Sequence, residues 1–234
     1  MKKDRGQFII LAAIALITAI LVVAATATNS GFRIRQSQEF LVSIPLMNAL
    51  DDGYRALIVA LSRASWTYNA SSYDYVVANN TAYLYLLDWT KNFSEAHGGR
   101  GVNAYITSDV DFQWSDGTIW WSNSSGLLIV NAPSAGIPEL RVNLAAGVIL
   151  FDLTLINNGF NITAFDLYRN VGVSVRLISL KINDSPVISW DYQYFGFGLN
   201  GYYNINIPPP ISKIEAYFEY NGILVRVIRI YKSS

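Results

Sequence analysis

Few side chains in this sequence could carry chemistry. It contains one histidine and no cysteine, so disulfides, thiolate catalysis and cysteine-ligated metal sites are excluded. The histidine, His97, precedes Gly98 and Gly99 at the predicted end of a helix, where a polar or cationic side chain is favourable for structural reasons. A general base needs a partner and a pocket, and the sequence indicates neither beside His97. We therefore expect no enzymatic activity and no bound cofactor.

A group of acidic residues is the only pattern that resembles a metal site. Asp109, Asp111 and Asp116, followed by Gly117, resemble a rearranged calcium loop, but the third carboxylate comes too late for the helix–loop–helix calcium signature. In a strand, Asp109 and Asp111 would share the water-facing side with Gln113. We therefore expect no metal site.

Three aromatic clusters remain: Trp120–Trp121, the run from Trp190 to Phe195, and Tyr202–Tyr203. Neighbours in a strand point to opposite faces, so one member of each pair should be exposed or covered by something else. A neighbouring subunit, a sugar stacked on a ring, or the helical region folding back could cover it. Packing within the chain is the structural alternative. The candidate aromatic contact surface comprises Trp120, Trp121, Tyr192, Tyr194, Tyr202 and Tyr203.

The composition excludes some classes of partner. The 234 residues carry 17 basic and 17 acidic side chains, and this balance lacks the basic excess typical of nucleic-acid binding. Charged residues make up 15% of the chain, well below the roughly 25% usual in soluble domains. Part of the chain is therefore expected to avoid water.

The N-terminal region is the most apolar part of the chain. No charged residue occurs from Gln7 to Phe32, and Phe8–Ala25 is an almost unbroken apolar run. About 20 such residues in a helix cross a bilayer core, so residues 7–28 are predicted to form a transmembrane or filament-core helix. Basic residues precede the run, which favours a cytoplasmic N-terminus. The alternative is a secretory signal peptide cleaved behind the run.

Residues 29–100 are predicted to form an amphipathic helical stalk and a second helix. In the first helix, apolar residues recur at spacings of three and four, from Phe40 to Leu61, which places them on one helical face. The second is predicted from about Thr81 to Ala96, with Asn80 or Thr81 as its cap. The polar residues between them are interpreted as a loop: Thr67, Asn69, Ser71 and Ser72.

From Val102 onward the hydrophobic pattern has a period of two, which predicts strands separated by turns. Two Asn-Gly pairs, Asn158–Gly159 and Asn221–Gly222, suit tight hairpin turns. The predicted fold class is α+β: an N-terminal transmembrane or amphipathic helical segment followed by an antiparallel β-sandwich head over residues 101–234, immunoglobulin-like or pilin-like. The predicted strands are Val102–Thr107, Val110–Trp114, Thr118–Ser122, Leu127–Asn131, Leu140–Leu144, Val148–Ile156, Phe160–Phe165, Val171–Ile182, Val187–Phe195, Tyr202–Ile207, Ile214–Tyr220 and Ile223–Tyr231.

The last hairpin is the most detailed of these predictions. It pairs the final two strands through Asn221–Gly222, and the sheet should be half-buried. One face carries Ile214, Ala216 and Phe218. The other carries Glu215, Tyr217 and Glu219.

Six Asn-x-Ser/Thr triplets indicate an extracellular head, since such triplets are the acceptors for N-glycosylation. Chance would give roughly two or three in a chain of this composition. The alternative is that these are polar turn residues of a β protein. The candidate acceptors are Asn69, Asn79, Asn92, Asn123, Asn161 and Asn183.

The opening residues MKKDRGQFIILAAIALITAILVV carry a family resemblance. A short basic segment, residues 1–6, ends in Arg5-Gly6, and Gln7 opens the apolar run. This arrangement resembles the archaeal class III signal peptide of type IV pilins, archaellins and related surface proteins. The resemblance implies that a prepilin peptidase cuts between Gly6 and Gln7. It covers the leader and apolar helix closely, and the β-rich head only in outline.

The resemblance also implies a function. The protein would be a structural subunit of a type IV pilus-like filament, or be associated with one, and would display a β-rich adhesion head. Its partners would be the membrane, the prepilin peptidase and copies of itself. Ala12, Ala15 and Ala19 share one side of the predicted helix and would allow close packing there. The alternative is a monomeric, membrane-anchored extracellular domain that acts as a receptor or binds carbohydrate. The protein is thus expected at the cell surface, as a single-pass membrane protein or in a filament.

Overall fold

The computed structural model describes residues 46–115, 117–133, 136–156, 159–194, 200–204 and 210–231. By its internal contacts the chain divides into two units, Met1–Met47 and Asn48–Ser234, and the second contains the helices and sheets discussed below. The predicted leader, Gly6, Gln7 and the alanines Ala12, Ala15 and Ala19 lie outside the described residues. Within those residues, neither helix is long and apolar enough to span a membrane.

Two α-helices are described. Helix α1 covers residues 46–70, and α2 covers Tyr75–His97. The later part of the predicted apolar face of α1 is buried, because Leu57 and Leu61 are inaccessible to solvent, but Met47, which the same spacing places on that face, is 59% exposed. The expected loop after Trp66 is shorter than predicted, because α1 continues to residue 70 and only a brief turn follows.

Helix α2 begins earlier than its apolar pattern indicated. Asp74 is its cap, and the carboxylate accepts hydrogen bonds from the backbone N–H groups of Val76 and Val77. Thr81, one of the two predicted caps, lies inside the helix, where its hydroxyl donates to the Val77 carbonyl. The prediction of this start was wrong because an acidic cap closer to α1 satisfies the first free N–H groups.

The remaining described elements are strands, all paired antiparallel. Their bounds are β1 Asn103–Gln113, β2 Ile119–Ala132, β3 Ile137–Ile156, β4 Gly159–Asp166, β5 Val171–Gly172, β6 Arg176–Ile182, β7 Ser185–Pro186, β8 Asp191–Tyr194, β9 Asn200–Asn204, β10 Lys213–Tyr220 and β11 Ile223–Ile230. Among the described residues they form a seven-stranded sheet ordered β1-β2-β3-β4-β9-β8, with β5 paired to β4. The other sheet has four strands, ordered β11-β10-β6-β7.

The predicted α+β class is wrong, because the described chain is mostly β, with two antiparallel sheets and two α-helices. The first four strands form a simple meander, unlike the strand order of an immunoglobulin domain. The predicted start of the head at residue 101 coincides with a change from helix to strand inside the unit that begins at Asn48. In that unit α1 contacts the sheets: Gly53 of α1 lies against the Leu128 side chain of β2.

Three strands are much longer than the sequence indicated. The segment from Asn123 to Gly126 was interpreted as a break, yet β2 runs through it. Ser124 lies within the sheet, where its hydroxyl bonds the Ser108 hydroxyl and the Asp109 carbonyl. Gly126 lies so close to β1 that an added Cβ would be 2.3 Å from the Thr107 carbonyl oxygen. Polar and small residues therefore mark close strand contact here, and the segment is no turn.

The core between the two sheets is aromatic. Phe160 of β4 and Tyr203 of β9 stack with ring centroids 5.3 Å apart, and Phe218 of β10 meets both rings edge-on from the other sheet. These three side chains are almost completely buried. Aromatic pairs in such arrangements contribute beyond the apolar area that they remove from water, so this triad joins the two sheets.

The last hairpin is confirmed. Strands β10 and β11 pair around Asn221–Gly222, whose φ angles of 50° and 82° suit a tight turn. Helix α1 holds this turn, because the Ser62 hydroxyl and the Trp66 indole N–H each donate to the Gly222 carbonyl at 2.9 Å. The predicted half-buried sheet is wrong, however, because the second face is covered as well. Residues 157–158, at the other predicted turn, lie outside the described residues.

Candidate functional site

The predicted aromatic surface is mostly interior where the structure describes it. Trp120 is fully buried, and its indole N–H donates to the Ser115 carbonyl at 2.7 Å. Tyr203 is 1% exposed, and its hydroxyl donates to the Val175 carbonyl and accepts from the Leu177 N–H. Both residues therefore stabilise the fold, and neither offers a ring to a ligand. Trp121 is half-buried. The side chains of Tyr192, Tyr194 and Tyr202 lie outside the described part of the structure.

The two acidic residues described on β1 behave as ordinary strand residues. Asp109 and Asp111 are exposed on either side of the buried Val110, which is the alternation predicted from the sequence. Asp116 lies outside the described residues. Across the described ranges, no group of three or more His, Asp or Glu side chains could hold a metal ion.

His97 ends α2, and its ring packs against Phe93 with centroids 4.5 Å apart. Its Nδ1 atom is buried and has no hydrogen-bond partner among the described residues. The contact with Phe93 agrees with a structural role for the ring at the helix end.

The structure contains an arginine cluster that was not predicted from the sequence. We define it as Arg226, Glu215, Tyr217, Tyr73 and Trp114. The Arg226 guanidinium carbon lies 4.1 Å from the Tyr73 ring centroid and 5.3 Å from that of Trp114. Its Nη2 atom donates to Glu215 at 2.8 Å. Cation–π contacts and a hydrogen-bonded ion pair thus hold the guanidinium of β11 against β10, the turn between α1 and α2, and the residue that follows β1.

A hydrogen-bond chain completes this arginine cluster. The Tyr217 hydroxyl donates to Glu215 at 2.9 Å, and the Tyr73 hydroxyl lies 3.0 Å from that of Tyr217. Burial alone would raise the pKa of Glu215, but the hydrogen bonds from Arg226 and Tyr217 outweigh it and hold that pKa below its ordinary value. Burial, with the hydrogen bonds to Tyr73 and Glu215, raises the pKa of Tyr217.

The crevice beside this arginine cluster is too small for a ligand. Its volume is about 20 Å³, enough for about one water molecule. Tyr68 and Phe112, stacked with centroids 4.3 Å apart, form another part of the same aromatic packing. The cluster is therefore a structural junction between the helices and the four-stranded sheet.

A larger cleft opens between the start of β6, the β10–β11 turn and Trp190. We call it the Trp190 cleft and define it by Trp190, Arg176, Glu219, Tyr220 and Asn221. Its volume is about 480 Å³, within the range of small-molecule sites. The floor consists of buried side chains, namely Val175, Leu177 and Tyr203. Trp190 itself is half-buried.

Polar groups with fixed positions line one wall of the Trp190 cleft. Arg176 donates to one Glu219 oxygen through both Nε and Nη2, at 2.8 and 2.6 Å. The other Glu219 oxygen accepts from the Gly222 N–H at 2.7 Å. The Tyr220 hydroxyl donates to the buried Asp166 at 3.0 Å. Burial, then the hydrogen bond and charge of Asp166, raise the pKa of Tyr220.

The six candidate glycosylation sites differ in their surroundings. Asn92 is exposed on α2, whereas Asn69, Asn79, Asn123 and Asn161 are half-buried. Asn183 is exposed, but both the nitrogen and the oxygen of its carboxamide make hydrogen bonds. Its Nδ2 donates to the Pro210 carbonyl, and its Oδ1 accepts from Ser212 and Lys213.

We expect a glycan on Asn92 and none on Asn183 in protein isolated from its native membrane. The nitrogen of Asn183 that would carry the sugar already donates to Pro210, whereas the Asn92 side chain extends into solvent. Glycopeptide mass spectrometry measures the occupancy of both residues, and Asn92→Gln should remove the modified peptide. A glycan on Asn183 with unmodified Asn92 would contradict this assignment.

Helix α2 also has an exposed apolar surface. Val76 is 75% exposed, Tyr83 59% and Leu84 53%. Their spacing places them, with Leu87, on one side of the helix, which the described part of the chain leaves uncovered. Contiguous apolar surface of this kind is typical of interaction sites.

The comparisons with known proteins give no relative. No protein-family model, no curated protein and no solved structure matches this chain.

Proposed function

We propose that this chain is a pilin-like surface protein, whose apolar N-terminal segment lies in the membrane or in the core of a type IV pilus-like filament. The unit Asn48–Ser234 is displayed outside as an adhesion head. The observation that carries the proposal is the uncharged stretch from Gln7 to Phe32, placed directly after Arg5-Gly6.

The charges of the basic segment, residues 1–6, explain why a filament subunit would need to be cleaved. Lys2, Lys3 and Arg5 hold the start of the chain on the cytoplasmic side while the apolar segment enters the bilayer. Burial of those charges in a filament core would cost several kcal/mol. Cleavage before Gln7 removes them and leaves an apolar segment that packs with its copies.

The surface of α2 supports contacts between copies. An antiparallel pair of α2 helices from two copies would cover the apolar side that Val76, Tyr83 and Leu87 share.

The decisive measurement is the N-terminus of the protein from native membranes, obtained by terminal sequencing and intact mass. We expect the mature chain to begin at Gln7. Gly6→Leu should leave Met1 in place, because the peptidase would meet a bulky residue at its cleavage site. Gly31→Leu, behind the apolar stretch, is the matched control and should be processed like the parent.

Two results would overturn the proposal. Intact Met1 in the parent protein would rule out a processed filament subunit. A terminus near Asn29 would instead identify a secretory signal peptide. The second candidate function, a monomeric membrane-anchored binding domain, is favoured by the Trp190 cleft. This second function would be supported if Met1 is retained and electron microscopy shows no filament that contains this chain.

A further inference from the structure

We propose that the Trp190 cleft binds a neutral carbohydrate. This inference rests on the proposed adhesion function, because it assigns a ligand class to the displayed head. The cleft combines an aromatic side chain, a buried apolar floor and a polar wall within one volume of about 480 Å³. Small-molecule sites typically combine apolar lining with a few fixed polar groups.

The charge of the cleft selects against ionic ligands. Arg176 and Glu219 neutralise each other through two short contacts, so the wall has no free unit charge to attract an anion or a cation. An anion that approached the remaining N–H groups of Arg176 would be repelled by the Glu219 carboxylate, which the Gly222 N–H of the hairpin turn also holds in place. A ligand with hydroxyl groups gains hydrogen bonds from the same pair without breaking it.

The polar wall suits hydroxyl recognition because it is held in place. Glu219 is fixed by Arg176 and the turn, and Tyr220 is fixed by Asp166. Held side chains lose little conformational entropy when a ligand binds. A site built to hydrogen-bond hydroxyls also rejects analogues that lack them, because its polar groups would be left unpaired.

Trp190 provides the apolar half of recognition. The residues of the floor, Val175, Leu177 and Tyr203, are buried, so the Tyr203 ring is not open to solvent. The half-buried indole is thus the aromatic surface on which the C–H face of a sugar ring can lie.

The test uses the full chain in detergent, with isothermal titration calorimetry against neutral trisaccharides of glucose, mannose and galactose. A trisaccharide that contains glucuronic acid is the charged comparison. We expect saturable binding of at least one neutral trisaccharide and weaker binding of the charged one. Trp190→Ala should weaken binding about tenfold or more, because it removes the stacking surface.

Tyr105→Ala is the matched control, since it removes an exposed aromatic ring from β1 that does not line the cleft and should leave binding unchanged. Arg176→Met, at a side chain 73% exposed, tests the polar wall and should also weaken binding. Thermal unfolding of each variant reports whether it is folded. If Trp190→Ala proves unfolded, the affinity of the Arg176→Met variant decides the test.

Three outcomes overturn the proposal: no saturable binding of any neutral trisaccharide, equal affinity of the folded Trp190→Ala or Arg176→Met variant, or stronger binding of the charged trisaccharide. The N-terminus is read from the same preparations. A mature terminus at Gln7 without sugar binding would refute the carbohydrate site and leave the surface-protein proposal standing. Sugar binding by a chain that retains Met1 would support the carbohydrate site and refute the processed filament subunit.

Discussion

Arg226→Met should lower the free energy of unfolding of the unit Asn48–Ser234 by about 3–5 kcal/mol. Glu215 is 6% exposed, and Arg226 supplies its compensating charge at 2.8 Å. Methionine keeps much of the side-chain volume but leaves the carboxylate buried without the two hydrogen bonds that Arg226 donates, while the hydrogen bond from Tyr217 remains. Urea unfolding followed by circular dichroism measures the change.

Two further variants isolate the ion pair from the loss of packing. Arg141→Met breaks the exposed pair with Glu139 and should leave stability nearly unchanged, because such pairs contribute little. The double variant Glu215→Leu with Arg226→Met removes both charges and should recover most of the loss, since a buried ion pair can be replaced by apolar side chains. An Arg226→Met variant as stable as the parent would show that the cluster is not a structural junction.

The pH dependence gives an independent check. In the parent, the lowered pKa of Glu215 contributes stability above the ordinary carboxyl pKa, and this contribution is lost as pH falls through the folded-state value. In Arg226→Met, burial is no longer opposed by the guanidinium, so Glu215 takes up a proton at higher pH. The stability difference between parent and variant should therefore narrow as pH decreases toward 4, and a constant difference would contradict the assignment.

Trp120→Ala should cost about 3–5 kcal/mol of unfolding free energy, the usual range for a large aromatic side chain removed from a core. Trp120 is fully buried, and the variant also leaves the Ser115 carbonyl without its indole donor. Trp121→Ala removes the same side chain from the next position of β2. Because Trp121 is half-buried, its loss should be clearly smaller in the same urea titration. Equal losses would show that both faces of β2 are equally covered.

Local chemistry in the sequence determined the last hairpin. Asn221 and Gly222 accept the positive φ angles that a two-residue turn requires, and the alternation of β10 fixes which residues share a face. The same turn sets the register that places Tyr217 opposite Arg226. The juxtaposition of Tyr217 and Arg226 in the arginine cluster therefore follows from the turn and the strand alternation.

Other features depended on neighbours that are distant in sequence. Ser124 and Gly126 indicated a break by their residue types, yet the adjacent β1 makes them part of a long strand. Likewise, the alternation of β10 could not show that Glu215 is buried, because its partner Arg226 packs against Tyr73 and Trp114, which come from other parts of the chain. The Trp190 cleft also exists only where the β10–β11 turn and the start of β6 meet.

The sequence by itself determined the balanced charge, the lack of cysteine chemistry, the apolar N-terminal stretch and the turn at Asn221–Gly222. These features follow from composition, from the order of apolar residues and from backbone sterics within a few residues. They can therefore be deduced from the sequence alone. The tertiary structure decided the mostly β class, the burial of Glu215 and the existence of the cleft. Burial depends on which elements pack against a face, and that packing is set by contacts between residues far apart in the sequence.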